Sequence, residues 1–251
     1  MKKIHLRRLV IIISFLLMPI TFIYVSPVII ILDSAVGIIS GSFILFCILF
    51  LSSIFTGRLF CAWLCPAGGA QECVMSAANK AVKYSRPLHI LRHVIWIVWL
   101  SVIIYAAISS GGYRSVEPFN HSYMGLSLHT EGGMAYPIYF VVLAIIVILT
   151  IVLGRRSACH SFCHMANFMV LGKKLGKLLH LPRVYLKMDS TECISCKKCT
   201  LVCPMSLDVE EMVKQQKSDN PYCILCGDCS QVCSKDVIRL SFGKPDGVDG
   251  R

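Results

Sequence analysis

The stretch CISCKKCTLVCP at residues 193–204 is followed by CILCGDCSQVC at residues 223–233, with the same spacing of cysteines. Both stretches follow the pattern Cys-x2-Cys-x2-Cys-x3-Cys, so each cysteine of the first recurs 30 positions later in the second. A loop with three closely spaced cysteines can bind three corners of a [4Fe–4S] cluster, whereas the fourth thiolate must come from a distant part of the chain. The spacing therefore predicts two [4Fe–4S] clusters.

Zinc and disulfides are the rival explanations for these cysteines. A structural zinc site uses four ligands, commonly as two Cys-x2–4-Cys pairs, and has no need of a third cysteine followed by a fourth. Disulfide frameworks belong to secreted chains, whereas eight of the 14 cysteines here form two evenly spaced quartets. The pattern favours iron–sulfur clusters over both.

Over residues 187–240 the chain resembles the bacterial two-cluster ferredoxins, in which the fourth cysteine of each motif binds the other cluster. Ser234 follows the second motif where Pro204 follows the first, and a proline there shapes the turn without being a ligand. The resemblance implies two ligand sets: Cys193, Cys196, Cys199 and Cys233 for one cluster, and Cys223, Cys226, Cys229 and Cys203 for the other.

The composition points to a membrane protein. Apolar residues make up 55% of the 251 residues and charged residues 16%, against about 45–50% and about 25% in soluble domains. A helix needs about 20 apolar residues to cross a bilayer, and helices satisfy their own backbone groups in lipid. The sequence therefore predicts four transmembrane helices. The four runs are Leu9–Leu32, Val36–Thr56, Val94–Gly112 and Met134–Leu153.

The net charge of +11 is distributed unevenly along the chain, because only four acidic residues precede Lys187. The basic residues lie between the apolar runs. The loop between the third and fourth runs is the exception, because Arg114 is the only Lys or Arg residue in it. Since cytoplasmic loops are rich in Lys and Arg, we expect a multi-pass protein of the cytoplasmic (inner) membrane with both termini in the cytoplasm. The same distribution argues against nucleic acid as a partner.

Two further cysteine pairs follow the second and fourth runs, each after a Gly-Arg dipeptide. They are Cys61 with Cys65, and Cys159 with Cys163. A spacing of four predicts that each pair lies on one face of a helix. At a shared cytosolic surface the four thiols can bind a metal or cluster, or act as two redox dithiols. The alternative is that they are buried packing residues, as free cysteines often are.

The domain organisation follows from these patterns. We predict a four-helix membrane domain over residues 1–170, a basic connector over 171–186, a ferredoxin-like α+β domain over 187–242 and a flexible tail over 243–251. In the connector, leucines and lysines are expected on opposite faces of an amphipathic helix, which either lies on the membrane surface or packs on the ferredoxin-like domain.

Taken together, the four runs, the GRLFC-x3-CP stretch at residues 57–66, the second Cys-x3-Cys pair and the two-cluster tail resemble the membrane polyferredoxin family. That family includes the membrane quinol dehydrogenase subunit of periplasmic nitrate reductase systems, and proteins of nitrous oxide reductase maturation and cytochrome oxidase assembly. Here His164 stands where a proline would complete the second pair.

The resemblance implies an electron carrier in the lipid bilayer. It would pass electrons between quinone and a redox protein partner through the two clusters, as part of a quinol dehydrogenase or similar complex. The alternative is an assembly or maturation factor that supplies electrons or thiols to a metalloenzyme. In that case the functional residues would be the two cysteine pairs: Cys61, Cys65, Cys159 and Cys163.

Overall fold

A computed structural model describes the fold over residues 2–77, 79–82, 86–122, 135–217 and 219–244. Residues 245–251 of the predicted tail lie outside these ranges, as does Met134, the predicted start of the fourth apolar run. The described chain has a helical N-terminal part that ends at Leu178 and a small α+β C-terminal part.

The apolar runs of the N-terminal part form helices, joined at one end by a short parallel strand pair. The pair consists of β1 (Ile38–Ser40) and β2 (Ser115–Glu117). The helices are α1 (Lys2–Leu16), α2 (Met18–Val25), α3 (Pro27–Val36), α4 (Gly41–Thr56), α5 (Leu59–Trp63), α6 (Pro66–Met75), α7 (Arg86–Ser109), α8 (Ala135–Leu153), α9 (Ser157–Ser161) and α10 (His164–Leu178).

The first predicted transmembrane helix is not one helix. Helices α1 and α2 meet at an angle of 79°, and α3 begins at Pro27. Pro19 lies in the first turn of α2. A proline has no backbone N–H and is tolerated only in the first turn of a helix. The two prolines therefore divide the run into three helices.

Among the described residues, one helical segment is long and apolar enough to cross a bilayer, Ile90–Ser109 of α7. Its 20 residues span about 30 Å. A second segment qualifies only if the bent pair α1–α2 is taken as one span. Helix α4 has 16 residues, which is about 24 Å, and the apolar helix Pro137–Leu153 within α8 is also short.

Helix α10 packs closely along α4 because two glycines face it. A Cβ at Gly172 would lie 2.8 Å from the carbonyl oxygen of Phe50, and one at Gly176 would collide with the carbonyl of Ile54. Glycines four residues apart let two helix backbones approach each other, because no side chains stand between them. This contact holds the segment after the fourth apolar run against the second run.

The C-terminal part contains two copies of one small motif, a cysteine-containing loop followed by a short helix. Strand β3 (Arg183–Met188) pairs antiparallel with β4 (Ile238–Gly243), with Arg183 opposite Gly243. Between them lie the helices α11 (Lys198–Val202), α12 (Val209–Lys214) and α13 (Asp228–Val232). Helix α11 packs against α13, and each begins after a left-handed residue, so the repeated sequence gives a repeated structure.

The connector differs from the prediction in the residue at which its helix begins and in which of its side chains are exposed. Helix α10 begins at His164 and not at Leu171. Lys173, predicted on the face opposite the leucines, is 5% exposed and pairs with Asp219 at 2.8 Å, whereas Leu178 is 73% exposed. One buried apolar cluster runs from Trp99 in α7 to Leu225 near α13. The ferredoxin-like part is therefore packed onto the helices and is not merely tethered to them.

Candidate functional site

The first quartet lines a small cavity at the outer end of the C-terminal part. The loop before α11 turns around it through left-handed residues at Ser195 (φ 53°) and Lys197 (φ 61°), a conformation uncommon for side chains other than glycine. The cysteines that line the cavity are Cys193, Cys196, Cys199 and Cys233.

The second cavity has the same loop geometry, with positive φ at Leu225 and Gly227. Burial raises the pKa of the Cys203 thiol, which belongs to the first motif, to about 11. The cysteines that line this cavity are Cys203, Cys223, Cys226 and Cys229. The fourth cysteine of each motif thus lies with the first three of the other.

These two cavities fit clusters better than single ions. In the described ranges, no three His, Cys, Asp or Glu side chains converge closely enough to hold one metal ion. A zinc ion needs its four ligands at about 2.0–2.3 Å from one centre. A [4Fe–4S] cube gives each thiolate its own iron, so its ligands surround a volume, as they do here.

The two cavities differ in exposure. Ile194 and Cys196 at the first cavity are exposed, and Ile194 is 61% exposed. Leu225 and Cys229 at the second are buried. A Cβ at Gly57, just after α4, would lie 3.1 Å from Leu225. The second cavity therefore faces the helical part and the first faces outward.

The two Cys-x3-Cys pairs occupy equivalent positions, but neither pair lies on one helix as predicted. Cys61 and Cys159 lie in the five-residue helices α5 and α9, whereas Cys65 and Cys163 cap the next helices, α6 and α10. The backbone leaves the helical conformation at Phe162 (φ −138°) and at the equivalent residue before Cys65. The chain turns inside each pair.

Three of these four cysteines line one cavity, and the four thiols influence one another's pKa; we call them the thiol tetrad: Cys61, Cys65, Cys159 and Cys163. Burial raises the pKa of Cys65 well above its ordinary value, and the other three thiols raise it further. Burial and the neighbouring thiols likewise raise the pKa of Cys163 to about 12. Three of the four cysteines are less than 9% exposed. The tetrad is a buried, mutually interacting set.

An apolar cavity of about 210 Å³, here called the thiol-facing cavity, leads to the tetrad. Its walls include residues of α2, α3 and α8, with Phe22 and Val142 among them, and His164 of α10 also lines it. Three thiols of the tetrad also line it. The cavity thus joins the apolar helices to a group of sulfur atoms.

Two family models match the chain over the segments that contain these cysteines. A model described as a 4Fe-4S dicluster domain matches residues 192–238, which include both quartets. A model described as a 4Fe-4S binding domain matches residues 41–85 and 135–182, which include both pairs of the tetrad.

Three curated proteins are similar to the chain. The "Putative electron transport protein YccM" of Escherichia coli is 24% identical over 172 residues, which cover 64% of this chain and 45% of that protein. The chain is an iron–sulfur protein. Two uncharacterized proteins of Methanocaldococcus jannaschii are also similar to this iron–sulfur protein. MJ0749 is 24% identical over 64% of the chain and 57% of its own length, and MJ0750 is 25% identical over 74% of each.

The alignments thus cover about half the length of MJ0749 and of YccM. No solved structure matches this iron–sulfur protein.

Sequence reasoning missed the buried arginines of the iron–sulfur protein, because it counted them as loop charges. Arg7, Arg58 and Arg156 are at most 1% exposed. Arg7 pairs with Glu72 at 2.8 Å, and Arg156 pairs with the same carboxylate. Burial raises the pKa of Glu72, but the two guanidinium groups outweigh it, so the net pKa lies below the ordinary value. The signal in the sequence was Glu72 itself, a lone acid in a basic segment.

Proposed function

We propose that this iron–sulfur protein carries electrons between membrane quinone and a redox protein partner. The supporting observation is the thiol-facing cavity, which ends at the thiol tetrad beside the ferredoxin-like part. The two quartets would hold one [4Fe–4S] cluster each, with the ligand sets that line the two cavities. When bound, each cluster supplies a one-electron redox centre.

The proposal includes an anchor of four membrane-crossing segments, α1–α2, α4, α7 and α8, with both termini in the cytoplasm. Only 22% of the apolar window in α7 is buried, unlike a core helix of a soluble protein. Exposed apolar side chains also cover α8, with Val152 at 60% exposure. Extensive exposed apolar surface favours contact with lipid or protein, and a bilayer adapts to short helices by thinning.

The thiol-facing cavity suits a quinone. Its walls are mainly apolar and aromatic, which fits an isoprenoid tail, and few polar residues line it. His164 packs against Trp99 with ring centroids 5.2 Å apart and the ring planes tilted by 57°. Among the described residues, no hydrogen bond reaches either nitrogen of the His164 ring, so it is free to donate to a quinone oxygen. The chain therefore orients the headgroup toward the thiols.

The first cavity is the proposed docking surface for the protein partner. Its rim carries exposed side chains from both motifs, including Ile194, Lys198 and Lys235. The second cavity is covered by the helical part. The exposed quartet is therefore the one that a soluble redox protein can approach closely.

The assembly-factor alternative is less well supported. A protein that supplies thiols to a metalloenzyme needs them accessible to that enzyme. In this chain Cys61 and Cys65 are 4% and 7% exposed. Burial at the end of an apolar cavity favours electron transfer over thiol donation.

The experiment uses the full chain in proteoliposomes, with the clusters oxidised and a short-chain quinol added anaerobically. Val142→Trp fills the thiol-facing cavity, whereas Val141→Trp places the same ring on the exposed face of α8. We expect Val142→Trp to slow quinol-dependent reduction at least about tenfold and to leave reduction by dithionite unchanged. Equal quinol rates in both variants and the wild type would overturn the cavity as the quinone site, and no reduction by quinol in any chain would overturn the function.

A further inference from the structure

We propose that a polar cavity between the helical part and the C-terminal part binds the phosphate group of an anionic phospholipid through Arg8 and Arg155. The phosphate site follows from the cavity itself. Its occupation by a lipid rests on the membrane anchor of the proposed function.

The cavity has a volume of about 620 Å³, and small-molecule sites commonly measure about 300–1,000 Å³. Helices α1 and α6 line it on the helical side, and the segment after α11 and the start of α13 line it on the other side. A molecule bound here would therefore contact both parts of the chain. We call it the junction cavity, and its walls include Arg7, Arg8, Glu72, Arg155, Pro204 and Asp228.

The two carboxylates of the junction cavity are already paired. Glu72 and Asp228 each lie 2.8 Å from a nitrogen of Arg7. Arg156 also pairs with Glu72. Both arginines are at most 1% exposed, so these ion pairs are part of the packed interior. Two positive charges thus balance the two negative ones.

Arg8 and Arg155 also line the junction cavity, and neither forms an ion pair with a carboxylate in the described ranges. They leave the cavity with two positive charges in excess. A cleft with charges of one sign raises the local concentration of ions of the opposite sign. The ligand of the junction cavity should therefore be an anion.

Arg155 is held in place by the protein and still has a donor to offer. Its Nε donates to Asn79, and its Nη1 donates to the carbonyl oxygens of Leu201 at 2.8 Å and Cys203 at 3.3 Å. Its Nη2 has no hydrogen-bond partner in the part of the chain that the structure describes. A guanidinium group fixed in this way is well suited to a phosphate, with which it forms charge-assisted hydrogen bonds.

Helix α1 connects the basic cavity to an apolar surface. Arg8, Ile12 and Leu16 are spaced by four residues and so lie on one side of the helix. Arg8 and Ile12 line the cavity, and Leu16 is exposed, as is Leu9 beside them. A phospholipid fits both features, because its headgroup would bind the arginines while its acyl chains lie along α1. A soluble phosphate compound would leave the apolar surface uncovered.

A bound headgroup would connect α1 to the ferredoxin-like part. Arg8 belongs to α1, whereas Arg155 contacts the backbone of Cys203, whose side chain lines the second cavity. A ligand that binds only the folded chain stabilises it. Anionic lipid should therefore hold the ferredoxin-like part against the helices.

The test compares the binding of phosphatidylglycerol and phosphatidylcholine, with the same acyl chains, to the full chain in a neutral detergent. Mass spectrometry of the intact protein gives the fraction that holds lipid. We expect the wild type to bind phosphatidylglycerol more tightly. Arg8→Gln and Arg155→Gln should each weaken that binding about fivefold and leave phosphatidylcholine binding unchanged. Lys174→Gln removes the same charge from an exposed position of α10 and should have no effect.

Arg8 is exposed, so Arg8→Gln should fold even if Arg155→Gln does not. Equal binding of the two lipids to the wild type would overturn the proposal, and so would an equal loss in Lys174→Gln. Displacement of the lipid by an equal concentration of inorganic phosphate would show a site for soluble anions and would overturn the lipid as its occupant. These measurements involve neither quinol nor cluster reduction, so their failure is separate from failure of the proposed function.

Discussion

Arg7 and Asp228 are 221 positions apart in sequence and form a two-point ion pair, with Nε–Oδ1 at 3.0 Å and Nη2–Oδ2 at 2.8 Å. Both side chains are 2% exposed. Asp228 begins α13, one residue before Cys229 of the second cavity. The first helix is therefore fastened to the loop that holds one predicted cluster.

Asp228→Asn tests this ion pair. Because Arg7 would remain buried with one of its two carboxylates gone, the free energy of unfolding should fall by about 3 kcal/mol. For a chain of this size, that corresponds to a melting temperature lower by roughly 6–12 °C. Thermal unfolding in detergent measures it, with exposed Asp236→Asn as the control. A loss no larger than in the control would show that the pair does not hold the two parts together.

Gly176→Val tests the close packing of α10 on α4. The added side chain would meet the backbone of Ile54, so the helices must separate, at a cost of about 1–3 kcal/mol. Leu178→Ala changes an exposed position of the same helix and should cost far less. Unfolding midpoints of the two variants give the comparison. Equal midpoints would contradict the observed contact.

Asp219 should make stability depend on pH. Burial raises the pKa of its carboxyl, but Lys173, Arg183 and Lys177 outweigh this, so the net pKa lies below 3.8. A lowered pKa gives stability that is complete above the unfolded value and is lost as pH falls through the folded one. Asp219→Asn should be less stable than the wild type by about 1.5–3 kcal/mol at pH 6.

The gap between Asp219→Asn and the wild type should narrow as the pH is lowered below 3.8. Thermal unfolding of both chains across this range measures the gap, and acid lability of the clusters affects both chains alike. A gap that stays constant, or widens in acid, would contradict the ion pairs at Asp219.

The crossed ligand sets make a spectroscopic prediction. Cys203→Ser should alter the same paramagnetic signal as Cys229→Ser, although Cys203 belongs to the first motif. Cys233→Ser should instead alter the signal affected by Cys199→Ser. Low-temperature spectra of the four reduced variants distinguish the two groupings. Pairing of Cys203 with Cys199 would show that each motif binds its own cluster.

The spacing of the cysteines was the basis for most of the predictions about the candidate site. The repeat at residues 193–204 and 223–233 requires loops of one geometry, and the structure places those loops around two cavities. The structure places Cys65, Cys159 and Cys163 of the two Cys-x3-Cys pairs around one cavity, and metal binding by these pairs stays a prediction. That each pair would lie on one helix was wrong, because Leu64 and Phe162 leave the helical conformation between the cysteines.

The sequence pattern did not predict where the helices end or which charged side chains are buried. Hydropathy measures how apolar a segment is and does not locate helix ends. In the first apolar run, Pro19 and Pro27 mark where new helices begin. A guanidinium group next to an apolar run looks like a loop charge until its distant partners are known. Glu72 and Asp228, the partners of Arg7, lie 65 and 221 positions away.

The most direct test of the central claim is low-temperature paramagnetic resonance of the anaerobically prepared chain in its native membranes, poised at a series of potentials. We predict reversible signals of reduced [4Fe–4S] clusters that interact with each other, and iron as the bound metal. Zinc in the quartets, or a reduced sample with no such signal, would contradict the account.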